Sequence, residues 1–163
     1  KWVRELSKND IVSMKNHFTN ILSSQSYTIW CGFVFEIVMM INIDLYVQKR
    51  GLSALYKNVT YWQYIANPNI EDDKGAQIDM VIEYENNIYD IVECKYYNDE
   101  FTITKEYADN LRHKVSKFKE YGIKQKMRYD LKLVMLTTYG SKKNSHFNAL
   151  NIASDITLGD LID

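Results

Sequence analysis

Apolar residues recur along the chain with two different periods, and the change of period marks out the elements. From Trp2 to Leu22 they fall at helical spacing (Val3, Leu6, Ile11, Met14, Phe18, Ile21, Leu22), with Asn9 or Asp10 placed to cap, which predicts an N-terminal helical extension over residues 1–25. Trp30, Phe33, Val34, Ile37, Val38, Ile41 and Leu45 follow the i, i+3, i+4, i+7 pattern and predict one long core helix over 27–50, closed by Gly51. The period then drops to two. Residues 55–66, dense in aromatic and β-branched side chains, predict a first strand that ends before Asn67-Pro68-Asn69. Two further runs, Gly75-Ala76-Gln77-Ile78-Asp79-Met80-Val81-Ile82-Glu83 and Ile91-Val92-Glu93-Cys94-Lys95, flank Glu85-Asn86-Asn87 and read as a β-hairpin. Thr104 is placed to cap a helix running to about Tyr121, ended by Gly122, whose inner stripe is Tyr107, Leu111, Lys114, Val115 and Phe118. Residues 131–137 predict a buried strand, 138–148 a polar loop, 149–156 an edge strand, and Thr157 a cap for a short last helix through Ile162. Helices and strands in this order predict an α/β (α+β) fold with a single compact domain over 26–163.

Charge interrupts the hairpin where a buried strand should have none, so Asp79, Glu93 and Lys95 need a reason to be there. Their faces depend on the turn. A two-residue loop sets Asp79 opposite Cys94 and puts the two carboxylates on opposite sides of the sheet. A three-residue loop, Glu85-Asn86-Asn87, sets Asp79 directly opposite Glu93, within about 5 Å Cβ to Cβ. The second register is expected. Glu36 stands among the apolar residues of the long helix and points into the fold by the same pattern, where it needs a cation or a donor. Lys114 is the odd member of an otherwise apolar stripe.

Composition narrows the picture less than charge does. With 163 residues, 46% apolar and 25% charged, the chain can bury a core without staples, and Cys31 and Cys94, the only cysteines, suggest neither a disulfide framework nor a thiolate metal site. A reducing, cytoplasmic setting is expected, and the apolar stretch 29–46 carries Glu36, Asn42 and Asp44, which suits a core helix and not a membrane span. The first residues, Lys1-Trp2, suggest a domain cut from a longer chain. Net charge is −1, but residues 67–100 hold ten acids against two lysines and residues 105–143 eleven bases against four acids. An acidic hairpin beside a basic segment suits a cation site next to a phosphate-binding surface, although any one of these lysines is equally well a solvated side chain.

Two converging carboxylates and a third from a helix supply hard oxygen ligands for Mg²⁺ or Mn²⁺, and a nearby lysine can orient or deprotonate a water on such an ion. That combination hydrolyses phosphodiesters. No Gly-rich phosphate loop, HExxH, CxxC or Gly-x-Ser-x-Gly occurs. Asp79, a hairpin-length gap and Glu93-Cys94-Lys95 resemble the PD-(D/E)xK nuclease motif, with Glu36 in Phe35-Glu36 matching the glutamate of the preceding core helix. Trp30-x-Gly32-x-x-Phe35-Glu36, Gly75-Ala76-Gln77-Ile78-Asp79 and Tyr107…Leu111-Arg112-x-Lys114…Phe118 resemble, more narrowly, the C-terminal nuclease-like domain of archaeal-type AAA ATPases. The likeness spans roughly residues 27–140; Ile78 stands where the motif's name has proline. The resemblance implies a restriction-endonuclease-like core, a four-stranded mixed sheet flanked by helices, with Mg²⁺ held by Asp79 and Glu93, assisted by Glu36, and Lys95 as catalytic lysine. It further implies the Cys94 backbone carbonyl as a ligand, Gln77 as a supporting side chain and an ATPase domain as partner in the full chain. DNA is the substrate it suggests, with Arg112 and Lys114 as backbone contacts, and a homodimer would bring two sites to two strands. Two other readings stay open: a catalytically inactive module of the same fold that binds DNA or oligomerises its ATPase, and a scaffold in which these charges only pair.

Overall fold

The computed structural model describes residues 19–22, 24–125 and 128–162. Most of the N-terminal helix expected over residues 1–25 therefore lies outside the described residues, 19–22 being helical. Helix α1 (Gln25–Ile41) starts where the Ser24 hydroxyl accepts the Tyr27 N–H at 3.2 Å. The single helix expected over 27–50 is two, because α2 (Ile43–Lys49) leaves α1 at an angle of 73°. Asn42 sits at the break with φ −100 and ψ 36, its side-chain amide donating to the Val38 carbonyl at 2.8 Å. An asparagine that bonds its own backbone offers the chain an alternative to the next helical turn. The bend tucks Tyr46 and Val47 into the core, and Gly51, at φ +68, ends α2. The buried stripe of α1 is also not the expected one: Cys31, Phe35 and Met39 face inward, while Phe33, Ile37 and Ile41 are exposed. A helix apolar nearly all round has no stripe for periodicity to choose.

Five strands form one mixed sheet in the order β1 (Tyr56–Tyr64), β2 (Ala76–Tyr84), β3 (Ile88–Lys95), β4 (Asp130–Thr137), β5 (Ser154–Thr157). The resemblance implied four. The β1–β2 and β2–β3 pairs are antiparallel; β4 and β5 are each parallel to the strand before. The parallel steps are made by α3 (Lys105–Lys124) and by a stretch containing α4 (Ser145–Ala149), so part of the expected 149–156 strand is spent on the approach to β5. Thr157 caps α5 (Gly159–Ile162) through reciprocal bonds with Asp160, as its sequence suggests. Helix α3 runs through Gly122, where a Cβ would collide with the Tyr129 ring; the glycine serves this close approach and not a helix end. One face of the sheet buries Met80, Ile82, Val92, Cys94, Val134 and Leu136 under α1 and α2. On the other, Ile78, Val81, Tyr89, Ile91 and Met135 lie under α3.

At its turn the β2–β3 hairpin takes the expected three-residue loop, with Asn86 at φ 62 and Asn87 at φ 57. Register runs from Tyr84↔Ile88 to Met80↔Val92, the alignment that aims Asp79 at Glu93. There the ladder stops and the sheet forks. Strand β2 stays with β1 down to Tyr64↔Ala76, while β3 stays with β4 out to Lys95↔Thr137. A register shift lies next to the fork: Thr60 pairs Val81 but Trp62 pairs Ile78, so Asp79 and Met80 together oppose Tyr61. This bulge slips the side-chain phase of β2, putting Ile78 and Val81 in one core and Met80 in the other.

Candidate active site

The fork gathers charge from three elements. Asp79, at the slipped position, sends its Oδ2 across to accept the Cys94 N–H at 2.8 Å. A carboxylate thus closes the place where the next rung of the ladder would have formed. The N–H and C=O of one strand residue point to the same side. The Lys95 carbonyl faces β4, accepting the Thr138 N–H at 3.2 Å, so the neighbouring Cys94 carbonyl faces the fork along with its N–H. The Cys94 thiol lies in the α1–α2 core, where burial pushes its pKa well up, and it takes no part in the site.

Glu93 is almost fully buried on the α3 side, and both its oxygens are engaged. Tyr107 donates its hydroxyl to Oε1 at 2.6 Å and Lys114 its ammonium to Oε2 at 2.6 Å, both from α3. The Lys95 Nζ stands 3.9 Å from Oε1 and 5.0 Å from the centre of the Tyr107 ring, with the Phe101 ring at 5.8 Å. Burial and the neighbouring Glu93 charge push the Tyr107 phenol far above its ordinary range, so it stays a donor.

Glu36 approaches from α1, half-buried, and among the described residues it makes no hydrogen bond or ion pair. Desolvation raises its pKa, then the Glu93 charge, against Lys95 and Lys114. For Asp79 the same causes act more strongly: burial first, then Glu93, push its carboxyl up to about 7 despite the Cys94 N–H. Its second oxygen accepts no hydrogen bond among the described residues. Three carboxylates feel one another here against two ammonium groups. As placed, however, no group of three His, Cys, Asp or Glu among the described residues forms a ready set of metal ligands.

Of the residues expected from sequence, the structure brings together Glu36, Asp79, Glu93, Lys95, the Cys94 backbone and Lys114. Gln77 is exposed, paired in register with Gln63, and makes no side-chain bond to the cluster among the described residues. Arg112 is exposed, bonded to Asp109 at 2.7 Å, and lines a cavity against β4 and the α4 end in place of facing the fork. Tyr107 is the residue that periodicity underrated: a tyrosine in an inward stripe needs a partner for its hydroxyl, and that need was the available signal. No helix among the described residues is long and apolar enough to cross a membrane; the α1–α2 pair reaches that length only across its bend. Compared with known protein families, with curated proteins and with solved structures, the chain finds no match in any of the three.

The unengaged donors at the fork are oxygens, the kind of atom a hard divalent cation takes. Glu36 and Asp79 each hold an unpartnered carboxylate oxygen in partly desolvated surroundings, and the Cys94 carbonyl faces the same gap. All are oxygens, which suits Mg²⁺ or Mn²⁺ and not a thiolate-seeking metal.

Proposed function

We propose that the fork of the sheet is a divalent-cation site used to hydrolyse phosphodiester bonds of DNA. The observation that carries this is a pair of partly buried carboxylates, Glu36 and Asp79, with no ion-pair partner among the described residues, beside a third, Glu93, and a lysine, Lys95. Asp79, Glu93, Glu36 and the Cys94 carbonyl would hold Mg²⁺ or Mn²⁺. Such an ion, when bound, makes a water more acidic and offsets charge on the phosphoryl group. Lys95, whose ammonium lies over the Tyr107 and Phe101 rings, would orient or deprotonate the attacking water or meet the developing charge. Exposed bases on and after α3, among them Lys105, Lys119 and Lys142, give a surface for the nucleic-acid backbone. The two free cysteines suit a reducing cytoplasmic setting. The likeness of the motif to that of AAA-ATPase appendages makes an ATPase in the same longer chain the partner of choice.

Plasmid nicking in Mg²⁺ tests the reading. Lys95→Ala is expected to lose at least about a hundredfold in rate while keeping the parent's melting temperature within a few degrees. Nicking unchanged by that substitution sinks the assignment of Lys95. One observation favours a second reading, a non-catalytic module of the same architecture: Glu93 is already neutralised by Lys114 and Tyr107. Parent protein that retards DNA in a gel, cuts none and takes up no Mn²⁺ in a calorimeter would decide for it.

A further inference from the structure

Among the described residues, Asp90 and Glu93 are the two acidic residues buried as a whole, and each is paired with a cation by different chemistry. Asp90 is fully buried and receives the Arg50 guanidinium twice, Nε at 2.8 Å and Nη2 at 3.0 Å, with the Tyr46 and Tyr84 hydroxyls each at 2.9 Å. A planar fork on a carboxylate is a rigid, permanent tie. Glu93 instead receives one ammonium at the end of a flexible stem, Lys114 at 2.6 Å on Oε2, while Tyr107 independently holds Oε1. That ammonium is a single point contact, largely shielded from solvent, at the end of a four-carbon stem.

We propose that Lys114 is a displaceable counter-cation. It neutralises Glu93 while the fork holds no metal, yields the carboxylate when a divalent cation enters, and then presents its ammonium to the phosphate drawn to that cation. The inference rests on the cation-site reading above. A site with three converging carboxylates must exist both with and without its ion, and an uncompensated buried carboxylate is strongly unfavourable. Lys114 supplies that charge when no ion is bound, and its ammonium occupies the Glu93 oxygen, Oε2, that a cation would take. Tyr107 preserves the orientation of Glu93 when the ammonium leaves, since its bond goes to the other oxygen.

Because coupling between two ligands of one group is reciprocal, whatever Lys114 takes from ion affinity the ion takes from the hold of Lys114. Calorimetric titration with Mn²⁺ is expected to show Lys114→Gln binding about tenfold tighter than the parent, and Lys114→Arg, whose fork grips harder, weaker than the parent. A second readout needs no variant. Reductive methylation followed by peptide mass spectrometry should find the Lys114 amine slow to react in metal-free protein and several times faster in Mn²⁺. Mn²⁺ uptake by the parent with neither effect overturns this inference and leaves the cation site standing. No uptake by the parent or by Lys114→Gln removes both.

Discussion

Asp79 is the most informative side chain in the molecule, because burial, the Glu93 charge and a backbone bond all act on it at once. Its carboxyl is raised from an ordinary 3.8 to about 7. Between those two values the folded protein holds a proton that the unfolded chain has released. Stability therefore declines as pH climbs from about 4 through about 7 and levels off above. Glu36, raised too, adds to the same slope, whereas Asp160, lowered to about 2 by Lys49 and Thr157, acts only in stronger acid. Asp79→Asn, which can still accept the Cys94 N–H, is expected to raise the melting temperature by several degrees at pH 8 and hardly at pH 4.5. An equal shift at both values would show that the Asp79 charge is not under strain. Asp79, Glu93 and Lys95 were legible from the pattern of the sequence, as charges in strands that ought to be apolar. What they touch was not. Lys114 reads in the sequence as a phosphate contact and stands on Glu93, and Tyr107 reads as packing and donates a hydrogen bond.

At the scale of elements, the turn decided the register. Asn86 and Asn87 both take positive φ, a conformation that asparagine tolerates and β-branched residues resist. Asn87→Val is expected to destabilise the protein by about 1–2 kcal/mol and Asn87→Gly by close to nothing, measured by urea unfolding. A penalty equal for the two would mean that the asparagine side chain, and not its backbone, holds the turn. The loop length and pairing were readable because strand periodicity admits two answers and only one joins the carboxylates. The bulge at Asp79 and Met80 was not readable, since it depends on how β1 meets β2. The break at Asn42 escaped for a related reason: the apolar pattern runs straight through it, and a hydrophobic period carries no record of backbone angles.

Over the whole molecule, the β2–β3 hairpin has a sealed end and an open one. Beside the turn, Asp90 collects Arg50, Tyr46 and Tyr84, and Arg50 reaches on to Ser154 at 2.7 Å, so that α2, β2, β3 and β5 are tied at one point. Arg50→Met is expected to lower stability by about 3 kcal/mol or more, because it strands a fully buried carboxylate, and Asp90→Asn added to it should recover much of that loss. A double variant no better than the single would assign the loss to packing. The layered α/β character and strand sequence followed from alternating periods; the fifth strand's true length did not, because α4 ends inside the expected strand at Ala149 and residues 150–153 turn toward β5.

The fork also sets an order of assembly. Asp79 and Glu93 are brought near each other by a three-residue turn, a local event of microseconds, whereas Tyr107 and Lys114 travel on α3 and reach Glu93 only when that helix docks on the sheet. The acids meet first and their counter-charges arrive last. For that interval the nascent hairpin carries its own repulsion, and solvent protons and dissolved ions are what is at hand to quiet it.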